Sequence, residues 1–163
     1  VLWEISADVC SPERLSTIGQ AAAQVAALSI NQEECAGLFG GWDKSVVIDG
    51  LRGLGAPIIF VRCGGDGSFV ITPNAVVPIA AQPARIVDVT GAGNAYGGAA
   101  LAGLLAGADS VEAAHMGAIA SRFTLAQHGP FEPRDASVRA RARAALLAVS
   151  SHPTHQQTLA TQP

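Results

Sequence analysis

Apolar and polar positions fall in blocks along this chain, and the period of the blocks changes repeatedly. Val1–Ile5 is an apolar run of strand length. Ser11-Pro12-Glu13 then reads as a helix start, with a capping hydroxyl, proline in the first turn and an acid at the positive end of the dipole. Leu15, Ile18, Ala22 and Val25 share one face and predict a helix through Gln24. Ala26–Ile30 reads as a second strand, and Asn31-Gln32-Glu33-Glu34 opens a second helix. Asp43 is the expected cap of a third helix reaching Leu54 and closed by Gly55. The Ile-Ile-Phe-Val content of Pro57–Val61 predicts a buried strand, Gly64–Gly67 a tight turn, and Ser68–Thr72 the returning strand of a hairpin. Val76–Ile79 and Ala84–Val89 both read as extended.

The second half is helical by pattern. Thr90-Gly91-Ala92-Gly93 turns into a helix of small residues, Ser110 is expected to cap a helix from Val111 to Gln127 stopped by Gly129-Pro130, and Pro133–Ala148 forms a last helix. Residues 150–163 are polar and read as a disordered tail. Strands that alternate with helices, and that are apolar throughout rather than on every second residue, predict an α/β layered fold. Its sheet is mainly parallel and covered on both faces. At 163 residues the chain has room for one domain.

Composition changes this picture by exclusion. With 49% hydrophobic and 14% charged residues the chain is not intrinsically disordered. A net charge of −3 offers no basic footprint for nucleic acid or an acidic membrane, and Arg139, Arg141 and Arg143 read as a solvated helix face. The stretch from Gly91 to Ala108 is free of charge and just long enough to cross a bilayer. It is mostly glycine and alanine, however, which fits a tightly packed internal helix and no membrane span. Cys10, Cys35 and Cys63 lack metal-ligand spacing and read as reduced, buried thiols, so a cytoplasmic location is expected. His115 and His128 read as packing or capping residues, and Trp3 and Trp42 as packing anchors.

The sharpest candidate chemistry lies in Asp88-Val89-Thr90-Gly91-Ala92-Gly93-Asn94-Ala95-Tyr96, an extended segment passing through a glycine turn into a helix. The first amides of a helix have no intrahelical partners and sit at the positive end of its dipole, so this turn is a candidate anion hole for a phosphoryl group. A turn that merely lets the helix pack closely on a sheet explains the glycines equally well on these residues alone. A Walker-type loop is absent, and Tyr96 stands where a dinucleotide fingerprint requires glycine.

D-V-T-G-A-G-N-A-Y-G-G nevertheless resembles the C-terminal signature of the pfkB (ribokinase-like) carbohydrate kinases, D-T-x-G-A-G-D-x-F. Upstream and in the same order, Asn31–Glu34 after a strand resembles that family's N-x-x-E motif, and Arg62-Cys63-Gly64-Gly65-Asp66-Gly67 resembles its T-x-G-x-x-G turn. The resemblance implies a three-layer αβα fold, ATP as phosphoryl donor, Mg²⁺ as counter-ion and a sugar or similar alcohol as acceptor. It implies that Gly91, Ala92 and Gly93 form the anion hole, and that Asn31 and Glu34 organise the magnesium–phosphate shell, with Glu34 as the metal-side residue. The stretch from Arg62 through Gly64 to Gly67 would border the nucleotide, the helix from Val111 to Gln127 would wall the adenine pocket, and Asp88 and Thr90 would shape the loop beside a monovalent cation.

Two departures qualify the resemblance. Asn94 stands where the family has its general base, an aspartate; an amide orients a hydroxyl but does not take its proton, and losing a positioned base costs about 10²–10⁴-fold in rate. Arg62 replaces the family's threonine. The match corresponds to the second half of such a kinase, over residues 1–149, without the N-terminal half that carries the acceptor site and lid. An exposed sheet edge is therefore expected, covered by an upstream segment or by a second copy in a homo-oligomer. Two functions are compatible with these residues: an ATP-dependent carbohydrate kinase with weakened catalysis, or a non-catalytic nucleotide-binding or assembly module.

Overall fold

The computed structural model describes residues 1–129 and 136–150. The expected last helix begins in residues 133–135, outside the described residues, and the expected polar tail of 150–163 lies outside them from residue 151 on, while Ser150 is the last residue of a helix. The chain divides into two compact units, with the boundary between Pro78 and Ile79.

Five strands form one sheet in sequential order: β1 (Leu2–Glu4), β2 (Ala27–Asn31), β3 (Ile59–Arg62), β4 (Ser68–Ile71) and β5 (Val76–Ile79). The first three are parallel, and β4 returns antiparallel to β3, completing the expected hairpin. β1 and β5 are the two edges of the sheet. Leu28, Ile30, Ile59, Val61, Phe69 and Ile71 point into a core shared with Ile18 and Ala22 of α1 (Leu15–Ala22), Cys35 and Leu38 of α2 (Gln32–Phe39), and Val47 and Leu51 of α3 (Lys44–Gly53). The alternate positions Ser29, Phe60 and Val70 belong to the other face of the pleat and are buried as well. Burial on both faces is the reason these strands read as continuous apolar runs.

The register gathers polar residues at one end of the sheet. Glu4 lies opposite Ser29, Asn31 opposite Arg62, and Arg62 opposite Ser68. The last residues of the three parallel strands, Glu4, Asn31 and Arg62, therefore share the carboxyl rim, the end at which open α/β sheets bind ligands.

In the second unit α4 (Ala92–Leu105) and α5 (Ser110–Leu125) pack through small residues, and α6 (Ala136–Ser150) follows. A Cβ added at Gly117 would lie 2.9 Å from the Tyr96 ring, and one at Gly103 3.3 Å from Ala113 Cα. The charge-free stretch thus packs one face of α4 on α5 while Asn94, Gly98, Ala102 and Leu105 stay exposed, and among the described residues no helix is long and apolar enough to cross a membrane.

Three local expectations are corrected. Ala84–Val89 forms no strand; Val87 instead donates its N–H to Leu125 O at 2.7 Å, tying the segment to the end of α5. α5 is capped by Asp109, whose carboxylate accepts from the Val111 and Glu112 amides at 2.9 Å, because Asp109 keeps the extended backbone of a cap while Ser110 is already helical. Ser11 makes no side-chain cap; Pro12–Arg14 is a 3-10 turn leading into α1, which ends at Ala22. Asp43 caps α3 as expected, and Asn31 caps α2.

Candidate functional site

In the first unit the carboxyl rim holds a charge cluster in which Glu34 is buried and Glu4 and Arg62 are partly exposed. Asn31 is both the end of β2 and the cap of α2. Its side-chain oxygen accepts from the Glu34 amide at 2.8 Å, and its own N–H donates to Glu34 Oε2 at 2.7 Å, a reciprocal capping box. From the end of β3, Arg62 reaches over the rim. Its Nη2 lies 2.9 Å from Glu4 Oε1 and 3.9 Å from Glu34 Oε2. Arg62 Nε is buried without a hydrogen-bond partner, a donor whose desolvation is left uncompensated. Burial pushes the Glu34 carboxyl above its usual range, outweighing the Asn31 N–H and the Arg62 guanidinium that pull it down.

The glycine turn that follows Arg62 spends most of its amides on itself. Cys63 N–H donates to Gly67 O, Asp66 N–H to Cys63 O, and Gly67 N–H to Gly64 O. Gly64 takes a positive φ of 56° and, with Gly65, is exposed. Lys44 stands over the Phe69 ring at 5.2 Å, and Trp42 packs against the same ring. Burial pushes the Cys10 thiol up to about 11 and the Cys35 thiol up to about 12, so both stay protonated near neutrality and neither serves as a nucleophile.

In the second unit the Asp88 carboxylate accepts from the Thr90 amide at 2.9 Å and so shapes the bend before α4; this bond holds its carboxyl below the usual range. Gly91 caps α4 in the left-handed region, φ 79°, and among the described residues no side chain caps the amides of the first turn. An added Cβ at Gly91 would find its nearest neighbour, Thr124 Cγ2, at an ordinary 3.9 Å. At Gly91 glycine meets a backbone requirement, the left-handed angle, and no close packing contact. Ala92 N–H donates to Val89 O at a long 3.3 Å, and the helix ladder begins with Ala95 N–H to Gly91 O at 2.9 Å. Among the described residues no acceptor is recorded for the amides of Gly93 and Asn94, and Asn94 is exposed. Ser121 of α5 donates to Ala92 O at 2.8 Å and clamps this first turn.

The structure thus brings Asn31, Glu34 and Arg62 together at one rim, and Asp88, Thr90, Gly91, Ala92, Gly93 and Asn94 together in one loop; the two groups belong to different units. Two participants escape sequence reading. Glu4 joins the rim only through strand register, and Ser121 is 29 residues from its acceptor with no motif to mark it.

A magnesium ion held by the protein's own carboxylates does not fit the rim. Arg62 already sits against both Glu4 and Glu34, one Glu34 oxygen is taken by the Asn31 amide, and the described residues contain no cluster of three or more metal-ligating side chains.

A family model described as pfkB family carbohydrate kinase matches residues 6–136. No curated protein sequence matches the chain. Among solved structures, adenosine kinase from Sinorhizobium meliloti superposes with a TM-score of 0.74 at 23% identity, covering 88% of this chain and 44% of that one. Aminoimidazole riboside kinase from Salmonella enterica, complexed with aminoimidazole riboside and an ATP analog, gives 0.73 at 22%, covering 90% and 52%. A fructokinase double mutant from Vibrio cholerae O395, in fructose-, ADP- and potassium-bound form, gives 0.72 at 21%, covering 90% and 50%. These likenesses show an α/β ribokinase-like fold, and the chain spans about half the length of these solved relatives.

Proposed function

Because the chain belongs to the pfkB family of carbohydrate kinases, we propose that it is the nucleotide-binding part of a kinase that transfers a phosphoryl group from ATP to the hydroxyl of a sugar or related alcohol. The observation that carries this reading is the open first turn of α4. Gly93 and Asn94 direct unbonded amides out of a helix N-terminus, where the dipole adds positive potential to the donors. Phosphoryl transfer needs little covalent chemistry from the protein and much positioning and charge stabilisation, which is what such a turn supplies.

In this proposal Gly91 holds the turn open, and the Gly93 and Asn94 amides stabilise the oxygens of the phosphoryl group in transit. Ala92 contributes less, its amide being engaged by Val89. The Asn94 side chain orients the attacking hydroxyl without deprotonating it. Asp88 and Thr90 maintain the bend, beside a monovalent cation if one is bound, and Arg62, Gly64 and Gly67 border the nucleotide. Any magnesium accompanies the nucleotide phosphates, with Asn31 and Glu34 acting on it only from the outer shell. The acceptor site belongs to a portion beyond this chain, and an upstream segment or a second copy covers the β1 edge.

The test is ATP-dependent phosphorylation across a panel of sugars and nucleosides by this chain joined to the portion that carries the acceptor site, with Asn94→Asp beside the parent. We expect the aspartate variant to be faster by about 10²–10⁴-fold, the worth of a positioned base. No gain in a protein that demonstrably binds ATP and acceptor removes the role given to position 94. The second reading, a non-catalytic module, draws on Asn94 itself. It expects saturable Mg·ATP binding by calorimetry with no turnover from either form.

A further inference from the structure

The same rim that fails to fit a protein-held magnesium ion has a cation of its own. Two carboxylates, one ending β1 and one in the first turn of α2, converge on Arg62 Nη2, with side-chain exposures of 31% for Glu4, 8% for Glu34 and 14% for Arg62. Among the described residues Arg62 is the one cation ion-paired with either carboxylate. Of the two carboxylates Glu34 is the buried one, and a charge held out of water needs a counter-charge close by. A divalent metal is the usual alternative, drawing several oxygens into one shell. Here the guanidinium already lies between the two groups, and its fixed fork of donors cannot leave without orphaning them.

We infer that Arg62 is the resident counter-ion of the Glu4–Glu34 pair, taking the place of a divalent cation and excluding such cations from direct coordination by these two carboxylates. The arginine is thereby a specificity-determining residue: it sets which counter-ion the carboxylates accept. The inference goes beyond the proposed kinase activity. Its test contains no nucleotide, so its failure and the failure of the kinase reading are distinguishable.

The experiment titrates Mn²⁺ alone into the intact chain and follows the free-ion signal by electron paramagnetic resonance. The parent is expected to show no saturable uptake below about 1 mM, the weak end of protein sites for divalent cations. Arg62→Gln, which keeps a donor for Glu4 but removes the charge, is expected to bind at least about tenfold more tightly, and to lose the gain when Glu4→Gln or Glu34→Gln is added. Two results overturn the inference: saturable uptake by the parent that Glu34→Gln abolishes, or uptake by folded Arg62→Gln no better than the parent's. Should Arg62→Gln fail to fold, the parent's own melting temperature decides. An unchanged value on adding about 1 mM Mn²⁺ at constant ionic strength supports the inference, and a rise of about 2 °C or more that Glu34→Gln removes overturns it.

Discussion

Glu34 illustrates how one residue carries opposing demands. Its carboxylate caps α2 through the Asn31 amide and faces a guanidinium, yet burial still pushes its proton affinity above the ordinary value of 4.5. The consequence for stability has a definite sign. As pH rises through 4.5 the unfolded chain releases this proton first, so the stability contributed by Glu34 falls between 4.5 and its raised folded value and is flat beyond. Asp43 and Asp88, whose carboxyls are lowered by backbone amides, act the other way below 3.8, and His115, lowered by burial, adds stability as pH approaches 6.5. Comparing Glu34→Gln with the parent cancels those other groups, because the glutamine carbonyl still accepts the Asn31 N–H. Urea midpoints measured from about pH 4 to 8 are expected to coincide at the acid end, then diverge in favour of the variant. Parallel curves would remove burial as the dominant influence on Glu34. The capping role of Asn31 is legible in the sequence from Asn-x-x-Glu alone. The pairing of Glu34 with Arg62 and Glu4 is not, because it depends on the register of three strands separated by whole helices.

Between α4 and α5, glycine serves two unlike purposes. Gly117 is a packing position, since a Cβ there would meet the Tyr96 ring at 2.9 Å, whereas Gly98 is exposed with nothing within 4 Å of the same added atom. Both lie in helix interiors, where glycine costs about 0.5–1 kcal/mol relative to alanine. Gly98→Ala is therefore expected to stabilise by about that amount. Gly117→Ala is expected to destabilise by about 1–3 kcal/mol, because overpacking outweighs the propensity gain. Thermal or chemical denaturation of the two variants side by side checks the pair, and equal effects would show that α4 and α5 do not meet at Tyr96. The existence of a small-residue packing helix is readable from composition, but its exposed face and which glycines touch a partner are not, since Gly97, Gly98 and Gly103 look alike in a string of letters. The Ala84–Val89 segment misleads for a related reason. Ile86, Val87 and Val89 have strand composition, yet Ile86 and Val89 are each 67% exposed, and the segment's ladder partner is the end of a helix.

At the scale of the molecule, the order of strands and helices follows the hydrophobic pattern closely, because each element buries its own continuous run. The division into two compact units does not show in the sequence; the boundary falls inside the apolar run of β5, and the single prolines around it, Pro73, Pro78 and Pro83, come with no glycine-rich or charged linker. Each unit carries one glycine turn, and the two turns differ in how many amides they leave open. In the 63–67 turn the amides of Cys63, Asp66 and Gly67 are already bonded within the turn, while in the 91–95 turn those of Gly93 and Asn94 have no recorded acceptor. Hydrogen exchange separates these cases, since an amide protected in the free protein has little more to gain from a ligand. Adding ATP is expected to slow exchange clearly across residues 91–95 and only weakly across 63–67. The parallel strands β2 and β3, buried on both faces, are expected to exchange slowest with or without it. Gly91→Ala would force alanine into a left-handed backbone at a cost of about 1–2 kcal/mol, and is expected to abolish the protection at 91–95 while sparing β2 and β3. Protection at 91–95 that survives this substitution would mean that the nucleotide is held elsewhere, and that the open turn of α4 is not what binds it.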